Sequence, residues 1–213
     1  MSAESTPIKA IPARGDAAAG GGYEDAALTD RMACPVSNRS IRPATSADIP
    51  EITEIYADAV RNGTASFELS PPDETEMARR MAVLVDGGYP YLVCANEPGA
   101  VLGYAYAGAY RARPAYRFTV EDSVYIARWA QGTGVGRLLL TALIADCEAR
   151  GFRQMIAVVG DEASTGSIAL HRALGFRLVG TLEAVGWKHG DWRGSVLLQR
   201  PLGAGMTDRP KEL

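Results

Sequence analysis

The stretch "RWAQGTGVGRLLLTALIADCEARGF" runs from Arg128 to Phe152 and places Gly132, Gly134 and Gly136 at the entrance of a helical pattern. Alternate glycines before a helix let a large ligand approach the backbone. A dinucleotide fingerprint needs G-x-G-x-x-G, and counting from Gly132 puts Arg137 where the third glycine belongs. The G-x-x-x-x-G-K-[ST] phosphate loop does not occur. What remains is Gln131-x-x-Gly134-x-Gly136, a turn whose helix-end N–H groups suit phosphate oxygens. The other reading of the same glycines is turn geometry alone. Just upstream, "FTVEDSVYIA" reads as a strand, so Glu121, Ser123 and Tyr125 share one face and Asp122 takes the other. Only one of the two adjacent carboxylates can face a given cleft. Arg111, Arg113 and Tyr116 in "YRARPAY" suit a carboxylate or phosphinate, since guanidinium groups bind these bidentately. The alternative is a solvated loop. Ser164, Ser167 and His171 are spaced to share a helix face. His171 and His189 lack clustered Cys or carboxylate partners, so no metal site is expected.

The elements that carry these residues follow from periodicity. "RSIRPA" is a short strand, and Ser46 is the expected N-cap of a helix with Ile49, Ile52, Ile55, Tyr56, Ala59 and Val60 inside. A second helix covers about Asp73 to Val85, with Met77, Met81 and Leu84 on one stripe. "YLVCAN" and "VLGYAYAGAY" are strands joined by "EPGA". After the glycine turn, Leu139, Leu140, Leu143, Ile144 and Cys147 form the buried stripe of a helix that Gly151 ends. "QMIAVVG" is nearly all apolar, as in a strand covered on both faces. A short helix, Ser164 to Leu174, precedes strands at about Leu178–Trp187 and Ser195–Gln199. The order β-α-α-β-β-β-α-β-α-β-β implies an α/β (α+β) domain, a mixed sheet with helices packed on it.

The composition is 47% hydrophobic with a formal net charge of −3, which suits a globular protein and offers no footprint for nucleic acid. The longest apolar runs fall short of a membrane span, and the N-terminus lacks the pattern of a secretory signal. Cys34, Cys94 and Cys147 have no CxxC spacing and are expected to be reduced thiols in a cytoplasmic protein. Cys94 and Cys147 fall in apolar patterns as packing residues. Residues 1–38 are Gly/Ala-rich without a sustained period and read as a flexible tail, 39–203 as the folded domain and 204–213 as a second tail.

"VYIARWAQGTGVGRLLL" resembles the acyl-CoA signature of the GCN5-related N-acetyltransferases (GNAT), Q/R-x-x-G-x-G/A between a strand and a helix. The resemblance spans roughly residues 40 to 200. "FTVEDSVYI", "IALHRALGF", "GTLEAVGWKHGDW" and "YAGAYRARPAY" sharpen it, being similar to the phosphinothricin and methionine sulfoximine acetyltransferase branch. It implies a GNAT fold with a largely antiparallel central sheet, acetyl-CoA as acetyl donor, a small anionic amino-acid-like acceptor and a homodimer.

It also implies roles. An aliphatic ammonium must lose a proton before it attacks a thioester, and Glu121 corresponds to the proposed base, acting through water. Its alternative is a solvated strand residue, or one that orients the ammonium. The backbone of Val124, Tyr125 and Ile126 would pair with the pantetheine amides. Gln131, Gly132, Thr133, Gly134, Val135, Gly136 and Arg137 would hold the pyrophosphate. Arg137 is equally suited to a helix surface. His171 would protonate the departing thiolate or bond the thioester, against the reading of a satisfied core histidine. Ser164 stands where many relatives have Asn, and with Ser167 it would face the cofactor arm. Arg111, Arg113, Tyr116 and Phe67 would bind the acceptor. "GWKHGDW", with Trp187, Lys188, His189 and Trp192, closes the site or forms a dimer contact; spacing does not choose.

Overall fold

The computed structural model describes residues 38–97 and 99–210. Cys34 and nearly all of the N-terminal stretch read as a tail lie outside the described residues. The elements are β1 (Ser40–Pro43), α1 (Ile49–Asn62), α2 (Glu74–Asp86), β2 (Tyr91–Ala95) and β3 (Val101–Ala109). They continue with β4 (Thr119–Ile126), α3 (Val135–Ala149), β5 (Gln154–Gly160), α4 (Thr165–Ala173), β6 (Arg177–Lys188) and β7 (Asp191–Pro201). The strands form one seven-stranded sheet in the order β1-β2-β3-β4-β5-β7-β6. Every neighbouring pair is antiparallel except β4 and β5.

The β4–β5 pair creates the site. Its parallel ladder covers only Thr119–Asp122 against Gln154–Ala157. β4 stays paired with β3 as far as Ile126, and β5 with β7 as far as Gly160, so the sheet splits between them. The split explains a departure from expectation. "QMIAVVG" buries Met155, Ala157 and Val159, but Val158 is 39% exposed, because its face opens onto the cleft instead of a second layer.

Alternation along β4 distributes the helices. Tyr56 of α1 meets Tyr125 edge-on at 5.1 Å between ring centroids, whereas His171 of α4 meets Asp122. Odd and even positions of a strand face opposite ways, so α1 and α4 flank β4 on opposite faces. The α3 stripe of Leu139, Leu140, Leu143, Ile144 and Cys147 is buried as its spacing demands. Burial pushes the Cys147 thiol up to about 12, an inert packing group. The first helix differs at its start: Thr45, not Ser46, leads a 3-10 turn, and its N–H and Oγ1 both donate to Asp48 Oδ2 at 2.7 and 2.9 Å. After β7 the segment expected as a tail turns back, with Arg153 paired to Asp208 at 2.7 Å.

Candidate active site

The cleft holds two connected spaces. A groove of about 800 Å³ runs from the C-terminal half of α1 past β4 to the glycine turn and the start of α4. A smaller cavity of about 250 Å³ lies deeper, against β4, β5 and α4. Thr64, Ala65, Val124, Tyr125, Ser164 and Ser167 line both.

The groove floor is built from sequence requirements. Gly132 and Gly134 adopt φ of 74° and 90°, the left-handed region that disfavours side chains. Gly136 answers a different need: a Cβ there would lie 3.1 Å from Leu170 Cδ2, so its absence lets α3 close on α4. The first N–H groups of α3 (Val135, Gly136 and Arg137) have no helical carbonyl to bond; the ladder starts with Leu138 N–H to Gly134 O at 3.2 Å. Gln131, Gly132, Gly134, Gly136, Arg137 and Ile126 all line this groove, whereas Thr133 and the buried Val135 do not. The turn therefore presents orphan donors, a dipole and Arg137 to one open space, which fits a pyrophosphate.

In the cavity, Glu121 is half-buried, and burial, followed by the charge of Asp122, pushes its carboxyl above the usual range. Asp122 takes the opposite face of β4, yet it lines the same cavity, because the split between β4 and β5 opens both faces to one space. Both carboxylates reach the cleft where alternation alone allowed one, and the partner of Asp122 is His171. His171 Nδ1 lies 2.7 Å from Ser167 O and Nε2 lies 3.0 Å from Asp122 Oδ2. A carbonyl only accepts, so Nδ1 carries a hydrogen. The Nε2–Oδ2 contact then holds one further proton, and both ring nitrogens are engaged within the protein. Burial alone would depress His171; the hydrogen bond and charge of Asp122, aided by Ser167, outweigh it and raise the imidazole above its ordinary value. Sequence reasoning missed Asp122 as a partner. Its alternation was readable, but a contact across 49 residues was not.

The lid of the cavity is the loop after α1. Phe67 lines the cavity and is 36% exposed. A Cβ on Gly186 would sit 2.5 Å from the Phe67 ring, and one on Gly160 would collide with the Thr64 carbonyl oxygen. These two glycines on β6 and β5 let the loop lie down on the sheet. Tyr56 Oη reaches Ser66 Oγ (2.9 Å) and donates to Glu68 Oε1 (3.0 Å) on one side. On the other, the buried Lys188 Nζ donates to Ser66 O at 2.6 Å and His189 Nε2 to Gly63 O at 3.1 Å. Lys188 and His189 thus fasten the loop, while the neighbouring Trp187 and Trp192 face solvent. Ser164 Oγ donates to Gly160 O at 2.9 Å, tying α4 to the end of β5.

The structure brings together Glu121, His171, Phe67, Val124, Tyr125, Ser164 and Ser167 around the cavity. Arg111, Arg113 and Tyr116 line neither space. They are exposed on the β3–β4 loop, where the Arg111 guanidinium sits 5.1 Å from the Tyr110 ring centre. Among the described residues no group of three or more His, Cys, Asp or Glu is placed to hold a metal ion. No described helix is long and apolar enough to cross a membrane.

The split sheet and the glycine-led helix together make a groove suited to an anionic ligand, and comparison with known proteins identifies the class. Residues 50–176 match the Acetyltransferase (GNAT) family. The chain is 55% identical over 181 residues to a phosphinothricin N-acetyltransferase of Alcaligenes faecalis, covering 85% of this chain and 89% of that protein. It is 41% identical over 160 residues to an L-methionine sulfoximine/L-methionine sulfone acetyltransferase of Pseudomonas aeruginosa, covering 75% and 92%. A GNAT superfamily phosphinothricin acetyltransferase of Sinorhizobium meliloti, solved in complex with AcCoA, superposes with a TM-score of 0.80 at 52% identity, covering 82% and 94%. The chain belongs to the GNAT family of acetyltransferases. It is an N-acetyltransferase that uses acetyl-CoA as donor.

Proposed function

We propose that the acceptor is the amino group of a small, anionic amino-acid-like compound such as phosphinothricin or methionine sulfoximine or sulfone, acetylated directly in a ternary complex. The observation that carries this reading is Glu121, a half-buried carboxyl raised above its ordinary range on the wall of a 250 Å³ cavity that opens into the larger groove. A space of that size takes a free amino acid better than a protein surface. The activities named for the relatives point the same way.

In this reading Glu121 accepts a proton from the ammonium, through water. The neutral nitrogen attacks the thioester carbon and the C–N bond forms; the nitrogen then gives up its second proton to water, the C–S bond breaks and the thiolate leaves, which gives the neutral amide. Much of the acceleration is positional, from holding amine and thioester together. Val124, Tyr125 and Ile126 offer backbone groups to the pantetheine arm, and the turn from Gln131 to Arg137 holds the pyrophosphate. His171 supplies the proton to the thiolate once its Nε2 hydrogen bond opens, and Asp122 keeps that ring charged. Arg111, Arg113 and Tyr116 receive the anionic end of the acceptor, supported by their place on the loop that runs into the strand bearing Glu121.

The chain acts as a homodimer in the cytoplasm. Support for the dimer comes from edge strand β6 and its hairpin, where Leu182 (48%), Val185 (53%), Trp187 (58%) and Trp192 (61%) are exposed. Buried, unpaired Cys94 and Cys147 suit a reducing compartment.

One observation favours a second reading: the two cations stand outside the cavity, as they would if the acceptor carried no anion, such as a peptide N-terminus. The test is thiol release from acetyl-CoA with phosphinothricin, methionine sulfoximine, methionine sulfone, spermidine and a free-N-terminus peptide. Saturable turnover confined to the first three supports the proposal. Turnover only with spermidine or peptide overturns it.

A further inference from the structure

Arg39 lies just before β1, 94 residues from the glycine turn, yet its Nη1 donates to the carbonyl oxygen of Thr133 at 2.6 Å. The same nitrogen stands 3.7 Å from where a Cβ of Gly134 would be. The bond therefore fixes the peptide that joins Thr133 to Gly134. In a trans peptide the C=O and N–H point to opposite sides, so drawing the Thr133 oxygen toward Arg39 aims the Gly134 N–H away from it. Gly134 lines the groove and Thr133 does not.

This peptide needs an external tie. Rotating it changes φ of Gly134, and glycine tolerates either sign at little cost. With Gly132 also left-handed, local sequence does not choose one orientation of the turn. Thr133 Oγ1 donates to Ala130 O at 2.6 Å, which fixes the side chain but not the peptide beyond it. The Arg39 donor on the Thr133 carbonyl favours one of the two faces.

We propose that Arg39 is a positioning residue for the cofactor's phosphates: by holding the Thr133 carbonyl it keeps the Gly134 N–H turned into the anion-binding groove. The inference rests on the reading that this turn holds the pyrophosphate.

The test compares Arg39→Met with the unaltered enzyme, using acetyl-CoA and then S-acetylpantetheine, which lacks the pyrophosphate. KM for acetyl-CoA is expected to rise about tenfold with kcat unchanged, the scale of one charge-assisted hydrogen bond. The parameters for S-acetylpantetheine stay as they were. Arg39→Lys, which keeps a donor on a similar stem, restores part of the loss. A loss shared equally by both donors, or a KM for acetyl-CoA within twofold of the unaltered enzyme, overturns the proposal. Gly134→Ala, strained at a φ of 90°, separates this from failure of the underlying reading. If Gly134→Ala weakens acetyl-CoA and Arg39→Met does not, Arg39 alone is wrong; if neither does, the turn does not hold the pyrophosphate.

Discussion

His171 Nε2 and Asp122 Oδ2 lie 3.0 Å apart, both side chains almost wholly buried, and one proton sits between them. The raised imidazole makes this bond a source of pH-dependent stability. The folded value of His171 exceeds its ordinary 6.5, so the contribution is complete below that pH and is lost as pH climbs through the folded value. Asp122→Asn removes this dependence and costs roughly 3 kcal/mol at pH 6, as expected when one partner of a buried pair is deleted. Urea denaturation at pH 6 and pH 9 checks it: the variant's loss must shrink at the higher pH.

Glu121 carries the same sign, starting from a lower ordinary value. Its raised carboxyl means the unfolded chain ionises first, so stability falls as pH rises from the ordinary 4.5 through the folded value. Glu121→Gln should therefore raise the thermal midpoint at pH 7. As the proposed base, its loss lowers kcat about a hundredfold and abolishes the acid limb of the pH–rate profile. An unchanged profile would remove Glu121 from the mechanism.

Gly186→Ala pushes a methyl into the Phe67 ring. We expect KM for the acceptor to rise about tenfold while KM for acetyl-CoA holds, since Phe67 lines the smaller cavity and not the groove. In Gly186→Ala/Phe67→Ala the two effects must not add, because the ring is the atom group displaced. Additive losses speak against a shared contact.

Lys188→Met releases one fastening of the loop that lines both spaces. Its expected signature is a rise in both KM values, with faster proteolysis between residues 63 and 69. A change in only one KM argues that the loop is held by Tyr56 and His189 without Lys188.

Leu182→Lys on the edge strand tests the dimer. Sedimentation at micromolar concentration is expected to show a monomer in place of a dimer; an unaltered dimer places the contact elsewhere.

Much of this architecture was legible because it is local. The α3 stripe, the glycine turn and the alternation that parts Glu121 from Asp122 are each set by neighbours in the chain. The cap at Thr45 escaped notice because its decisive partner, Asp48, is a side chain whose direction spacing alone does not give. "QMIAVVG" read as doubly covered because apolar content cannot reveal that its neighbour strand diverges. The Asp122–His171 and Arg39–Thr133 contacts join distant segments, and a single sequence carries no sign of either. Arg111 and Arg113 were singled out for their charge, but charge does not say which way a loop faces.

Past Asp122, β4 has backbone groups on its β5 side that no strand takes up. Raw sheet margins usually invite another polypeptide and so risk clumping. Here the raw margin is indoors, flanked by β5 and covered by α1 and α4. These walls stand in the way of a second strand, so the same unpaired groups that would be a hazard at the rim instead line the groove between β4 and the glycine turn.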